Sequence, residues 1–224
     1  MSDPVSPAIG WGVLHLFCKP TPALDPEAVV AAVKAARDAE HQVVTASMLG
    51  HKADMAFLII GPDFTVLRRL QTALQVAGLD VVDSYVSLTE VSEYAKSMPA
   101  EMQSPRLYPQ LPPEGKRAFC FYPMSKMRDG HEANWFTLPY DERSGLMHEH
   151  GTSGRKFAGR ITQLVTGSTG LDDFEWGVTL FGVHPDDLKD VVYTMRFDQA
   201  SALYGLFGKF YVGYVTDVED LVAR

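Results

Sequence analysis

Cysteine is nearly absent from this chain: Cys18 and Cys120 stand alone in separate apolar runs. Two isolated thiols make no disulfide framework, so a reducing cytoplasm is the expected setting. No run approaches the roughly 18 consecutive apolar residues of a membrane span. The opening Met1-Ser2-Asp3-Pro4 lacks a basic start followed by an apolar core, so export is not expected. Cations are also in short supply, with 20 Lys and Arg against 28 Asp and Glu, a net charge of -8. That balance counts against nucleic acid, whose phosphates need clustered cations. There is no glycine-rich phosphate loop after a strand, no Gly-x-Ser-x-Gly and no paired-cysteine motif. What remains is ordinary globular composition: 46% hydrophobic residues over 224, with a mean hydropathy of -0.06. A sizeable core is within reach.

The charge is uneven. Residues 116–160 hold eight Lys and Arg against five Asp and Glu, a locally basic stretch on an acidic protein. Such a stretch suits a small anionic ligand better than a polymer.

Proline divides the chain. Pro99, Pro105, Pro109, Pro112 and Pro113 crowd residues 99–114, a density that disfavours helix and central strand. We read 99–116 as a linker between an N-terminal half, 1–98, and a C-terminal half, 117–224. In the first half, 11–17 is strand-like, and Asp25-Pro26-Glu27 supplies an N-cap and a first-turn proline. Val29, Val30, Val33 and Ala36 make one face of the helix that follows. Strands are expected at 42–48 and 55–60. A second helix carrying Leu67, Leu70 and Leu74 stops at Gly78, and 79–91 is a strand. The second half repeats the order: strand 118–122, helix 139–150 ending at Gly151, strands 160–166 and 174–181, helix 185–196 and strand 204–214. Each half is β-α-β-β-α-β, the ferredoxin-like order. The fold class expected is α+β, two antiparallel sheets with helices on one face of each, of the dimeric α+β barrel type. The echo of Trp11-Gly12-Val13 in Trp176-Gly177-Val178 is too short to establish duplication.

Five residue types in the second half carry chemistry. Tyr122 shares a strand face with Cys120 and Ala118, opposite Phe119 and Phe121. A tyrosine there ordinarily packs; Lys126 and Arg128 close behind it make a redox role competitive. In isolation those two cations read as a solvated turn. His150 lies on the helical face of Leu146 and Met147. On spacing alone it fits a helix-end histidine before a C-cap glycine, and an iron ligand is the second reading. His148 points away from it, which disfavours a zinc pair, and His15, His41, His51, His131 and His184 add no ligand spacing. Gln163 alternates with Ile161 and Val165, which puts an amide on an apolar side where it needs partners. Asp172-Asp173 reads as a turn.

These residues stand in longer runs. They include Phe121-Tyr122-Pro123-Met124-Ser125-Lys126, Asn134-Trp135, His150-Gly151, Gly154-Arg155-Lys156, Gly170 through Val178, and Met195-Arg196-Phe197-Asp198 with Ser201. Arg106-Leu107-Tyr108-Pro109 precedes them. Over roughly the last hundred residues the chain resembles the chlorite dismutase-like haem proteins, in the Firmicutes-type branch of coproheme decarboxylases. Met127 departs from a position that is often basic in that family, and the 131–133 turn is one residue longer.

The resemblance implies that His150 is the proximal iron ligand and that Tyr122 forms a radical that takes hydrogen from a propionate. It implies substrate contacts at Arg106, Met124, Ser125, Lys126, Arg196 and Ser201, with Gln163 over the distal face and Trp176 near the proximal pocket. Tyr85 and Ser87 are further candidates for ligand contact. The implied substrate is iron-coproporphyrin III, which is also the redox centre, and the product is haem b. Hydrogen peroxide is the implied oxidant. A homopentamer and transient contact with the ferrochelatase that supplies coproheme complete the expected partners. Chlorite dismutation would use a distal arginine where this chain has Gln163. A haem carrier or sensor would need His150 but not a tyrosine beside cations.

Overall fold

The computed structural model describes residues 3–129 and 133–223. His131 and the start of the 131–133 turn lie outside the described residues. The first half runs β1 (Gly12–Pro20), α1 (Pro26–Asp38), β2 (Gln42–Leu49), β3 (Met55–Gly61), α2 (Phe64–Val76) and β4 (Leu79–Thr89). Asp25 caps α1, its carboxylate accepting from the Ala28 amide at 3.0 Å, and Gly78 leaves α2 at φ +88, where a side chain would be strained. After α3 (Ala100–Leu107), the second half runs β5 (Ala118–Lys126), the short pair β6 (Arg128–Asp129) and β7 (Ala133–Asn134), and α4 (Tyr140–Arg155). Strands β8 (Ile161–Gly167) and β9 (Trp176–Gly182) follow, then α5 (Pro185–Met195), α6 (Gln199–Ala202), β10 (Gly205–Phe207), β11 (Tyr211–Val215) and α7 (Val218–Val222).

Strand order explains how the halves meet. Within the first half it is β2-β3-β1-β4, and within the second β11-β5-β9-β8, the ferredoxin-like order twice. The expected two sheets are joined at both edges. Pairing of β11 with β2 and of β4 with β8 links the halves, and β5 with β9 closes the ring, leaving β10 as a flap on β5. Closure removes the free edges that two separate sheets would present. The alternation of each strand then sends one set of side chains into the barrel and the other outward. Inside lie Val13, Phe17, Leu58, Ile60, Phe119, Phe121, Phe181 and Tyr211. Each such aromatic or aliphatic side chain contributes about 1.5–3 kcal/mol on burial. Outside the first half, α1, α2 and α7 cover Leu14, Leu16, Phe57 and Ile59; outside the second, α5 covers Cys120, Val178 and Leu180. The two cysteines are free and lie in these two separate outer clusters.

Three local expectations need correction. The proline-rich stretch holds a helix, α3. Pro99 precedes its first turn, where a missing N–H costs little, and only Pro105 falls inside it. Tertiary ties offset that one proline: Thr89 Oγ1 donates to the Leu107 carbonyl at 2.9 Å, and Tyr108 packs edge-on against Trp11 at 5.3 Å. Gly151 does not end α4, which continues to Arg155; beyond the glycine, Ser153 is tied to Asp198 and Phe157 enters the core. The 204–214 strand is two pieces. Pro123 has no N–H to offer a neighbour, and there the chain steps across, with the Gly208 amide donating to the Pro123 carbonyl at 2.8 Å.

Candidate functional site

Register places four of the predicted residues on the outer face of the second half. Three cross-strand rows run Gln163–Leu180–Cys120, Val165–Val178–Tyr122 and Gly167–Trp176–Met124. Paired residues share a face, so Gln163, Tyr122, Trp176 and Met124 stand on one surface. Its β5 and β9 side is covered by α5. At β8 the same face is open, with Val165 39% exposed and Gln163 exposed beside it. The amide is therefore on an apolar side, as expected, but it is not buried; Leu164 and Thr166 are the inward residues of β8.

Tyr122 is buried, 7% exposed, with its ring stacked on Phe210 at 4.5 Å and edge-on to Phe207 at 5.7 Å. Burial raises its phenol pKa, and among the described residues the hydroxyl has no hydrogen-bond partner. The strand does not stop at Pro123, so Lys126 is no residue of a solvated turn. It is 6% exposed, and its ammonium donates to the Ala200 carbonyl at 2.6 Å and lies 4.4 Å from the centre of the Trp135 ring. Burial lowers its pKa to about 8 against the pull of Glu175. Ser125 faces the other way from Met124 and Lys126, its hydroxyl accepting from the Glu175 amide at 3.1 Å.

His150 sits on α4 with a quarter of its side chain exposed. Its Nδ1 is 3.2 Å from Asp198 Oδ2 and 3.4 Å from Ser201 Oγ. Asp198 is itself buried, and its Oδ1 accepts from Ser153 Oγ at 2.6 Å. Burial and the Lys126 charge lower the His150 pKa, opposed by Asp198. The imidazole is thus neutral near pH 7, the form that binds metals. Asp198 Oδ2 is buried without an aligned hydrogen bond. A small turn of the ring would let Nδ1 donate to it and leave Nε2 bare. This donor set fits an iron tetrapyrrole held through Nε2.

The remaining candidates lie apart. Arg106, on α3, is turned back to the Met102 carbonyl of its own helix. Arg196 is exposed, its guanidinium 4.0 Å and 5.0 Å from the Tyr193 and Phe197 rings. Trp176 donates through Nε1 to Glu90 Oε1 at 3.0 Å. Tyr85 and Ser87 face the barrel interior, where they bond Ser168 at 2.5 Å and Thr166 at 2.8 Å. Both are buried, on the opposite side of the sheet from Tyr122. Asp172 does form a turn, its carboxylate accepting from the Val86 amide at 2.7 Å.

Three acidic residues had escaped assignment: Asp198 beside His150, Glu175 paired with Arg128, and Glu90 beneath Trp176. Asp198 and Glu175 stood inside recognised runs, but only tertiary packing shows what their carboxylates hold.

The sequence profile of the chlorite dismutase family matches residues 26–216. A coproheme decarboxylase from Staphylococcus carnosus (strain TM300) is 38% identical over 250 aligned positions, covering 99% of this chain and 98% of its own. A structure described as a heme-binding protein from Thermus thermophilus superposes with a TM-score of 0.86 at 37% identity, covering 95% of this chain and 94% of that one. Chlorite dismutase from Candidatus Nitrospira defluvii, in complex with imidazole, shares the fold at a TM-score of 0.75 and 16% identity, over 96% of this chain and 94% of that one. With most of its length matched by that profile and a relative of such identity aligned nearly end to end, the chain belongs to the chlorite dismutase family.

Proposed function

We propose that this protein decarboxylates two propionates of iron-coproporphyrin III, using hydrogen peroxide, to yield haem b. The observation that carries the reading is the near end-to-end alignment with a coproheme decarboxylase at 38% identity. The oxidised iron macrocycle supplies the oxidising power. This chain supplies ligation, position and a hydrogen-abstracting side chain. His150 holds the iron through Nε2, with Asp198 and Ser201 at Nδ1. Tyr122 gives up an electron and a proton, and its phenoxyl takes a hydrogen atom from the β-carbon of a propionate. Loss of carbon dioxide and a second electron leaves a vinyl group. Each event thus removes two electrons and one proton besides the carbon dioxide, and one peroxide accepts the two electrons and is reduced to water.

Arg106, Lys126, Arg196 and Ser201 meet the propionates, with Met124 beside them and Ser125 reaching them only from the other face of β5; Gln163 lies over the distal face and Trp176 packs near the proximal pocket. In this arrangement Arg106 and Arg196 swing out from their present partners, which exposed guanidinium groups do at small cost, and the buried Lys126 ammonium exchanges the Ala200 carbonyl for a propionate. Residues 1–98 and 117–224 act as the two halves of one barrel, with 99–116 as the strap between them. The protein works in the cytoplasm as a homopentamer and receives its substrate from a ferrochelatase. Two buried free thiols and the lack, among the described residues, of any helix long and apolar enough to cross a membrane support that setting.

Incubation with iron-coproporphyrin III and peroxide, followed by mass analysis of the pigment, tests the reading. Loss of two carboxyl groups is expected. Unchanged pigment would leave a haem-binding protein without turnover, and oxygen release from chlorite would mark the dismutase alternative. Gln163 provides no fixed cation for that anion.

A further inference from the structure

Tyr211 stands back to back with Tyr122 across the sheet. In register it pairs with Phe121, so the two tyrosines hold adjoining strand positions on opposite faces. Phe210, the residue before it, carries the ring stacked on Tyr122 at 4.5 Å. Phe210 packs on the outer cluster, whereas Tyr211 lies in the barrel interior, 5% exposed, its ring stacked on Phe17 at 3.7 Å. Paired Cα atoms are about 4.5–5.5 Å apart, so a single sheet thickness separates the two phenol rings.

The two hydroxyls differ. Tyr122 has no hydrogen-bond partner among the described residues, but the Tyr211 hydroxyl donates to Asp83 Oδ2 at 2.5 Å, a short charge-assisted bond. Removing an electron from a phenol makes its proton strongly acidic, so a phenol that already donates to a carboxylate loses both more readily. Asp83 is placed to accept: Lys209 at 3.4 Å and the Ser84 amide at 2.9 Å hold its carboxylate at the barrel mouth, with a third of the side chain exposed. Lys52 lies 5.9 Å from the centre of the Tyr211 ring and opposes a cation there, but the phenoxyl left after proton transfer is neutral. Tyr85 also faces the interior, 5.3 Å from Phe121, yet its hydroxyl meets Ser168, an alcohol and no base.

We infer that Tyr211 is a second redox-active tyrosine, to which the oxidising equivalent on Tyr122 retreats when no propionate is left to react. The step exchanges one electron and one proton. Tyr211 gives its electron to the Tyr122 phenoxyl and its proton to Asp83, which then donates a hydrogen bond back to the new phenoxyl. Tyr122 takes back the proton it had released and is again a phenol. A thiol reductant from solution later returns one electron to Tyr211, and Asp83 returns the proton. The oxidising equivalent comes from the peroxide of the proposed reaction, and the inference rests on the reading of Tyr122 as the side chain that is oxidised. The consequence is protection: when bound haem b meets a further peroxide, the hole settles behind the sheet and spares the macrocycle.

The test follows the radical in the full-length protein loaded with haem b, mixed with peroxide and frozen at successive times. High-field electron paramagnetic resonance separates a tyrosyl that accepts a hydrogen bond, whose largest g value is lowered, from one that does not. In the parent the unbonded signal should appear first and give way to the bonded one. Tyr211→Phe keeps a ring on Phe17. It should lose the bonded signal, hold the unbonded one for longer and let the pigment bleach several-fold faster in excess peroxide, while converting iron-coproporphyrin III at the parent rate. Asp83→Asn keeps a polar partner but no base, so the bonded signal should form more slowly; it is the second variant should Tyr211→Phe not fold. A parent without a bonded signal, a bonded signal that persists in Tyr211→Phe, or a parent-like time course in Asp83→Asn would overturn the assignment. Tyr122→Phe separates this from the reading of Tyr122. If the unbonded signal survives that substitution, the reading of Tyr122 fails; if it vanishes there while the bonded signal survives Tyr211→Phe, the role of Tyr211 fails alone.

Discussion

His15 Nε2 lies 2.8 Å from Thr179 Oγ1 across the barrel interior, joining β1 of the first half to β9 of the second. The ring is 1% exposed, tilted over Phe121 at 4.2 Å, and its Nδ1 has no partner among the described residues. Burial lowers its pKa from 6.5 to about 3.

That pair predicts acid sensitivity with a definite sign. Between about pH 6.5 and pH 3 the unfolded chain protonates this histidine and the folded chain does not, so stability falls as pH drops through the window. The loss is on the order of a few kcal/mol at most. His15→Phe keeps a ring against Phe121 and cannot titrate, so its urea midpoint should change less between neutral pH and about pH 4 than the parent's. Equal pH dependence in both proteins would show that His15 is not the group responsible.

The strands and most helices were legible because burial imposes a period: Leu67, Leu70 and Leu74 mark one face of α2, and Cys120 and Tyr122 one face of β5. Closure of the barrel was not. It depends on contacts such as Val212 with Leu49 and Thr89 with Thr166, which pair the edges of the two halves and leave no local pattern. Gln163 could be placed on the right face by alternation, but its exposure depends on how far α5 extends over the sheet. Lys126 misled for the same reason. A cation after a tyrosine strand reads as a turn until Trp135 and Ala200 are found packed around it.

His150→Ala should abolish the axial nitrogen ligand, weaken binding of iron-coproporphyrin and change the spin state of the iron. Absorption and electron paramagnetic resonance spectra of the loaded protein check it. Spectra identical to the parent's would remove His150 from the iron.

Gly208→Val should destabilise the crossing between β10 and β11. A Cβ at this position would lie 2.6 Å from Pro123 Cγ and 2.8 Å from Phe174 Cζ, closer than packed atoms approach. Overpacking of this kind costs about 1–3 kcal/mol. A thermal melt should show a midpoint several degrees lower, and turnover should fall with it, because Pro123 adjoins Tyr122. An unchanged midpoint would mean that the crossing is slack.

Tyr122→Phe separates chemistry from packing. The substitution deletes one hydroxyl that has no hydrogen-bond partner among the described residues, and it keeps the ring stacked on Phe210. Stability should therefore be nearly unchanged. Substrate affinity should also hold, since the propionate contacts are assigned to other side chains. Turnover should fall by about two orders of magnitude or more, because phenylalanine has no proton and electron to give at an accessible potential, and the loss should appear in kcat with little change in KM. Because burial raises the phenol pKa, Tyr122 carries its proton throughout the neutral range, so its oxidation must release that proton to an acceptor. A variant that still makes haem b at the parent rate would return Tyr122 to the role of a packing residue.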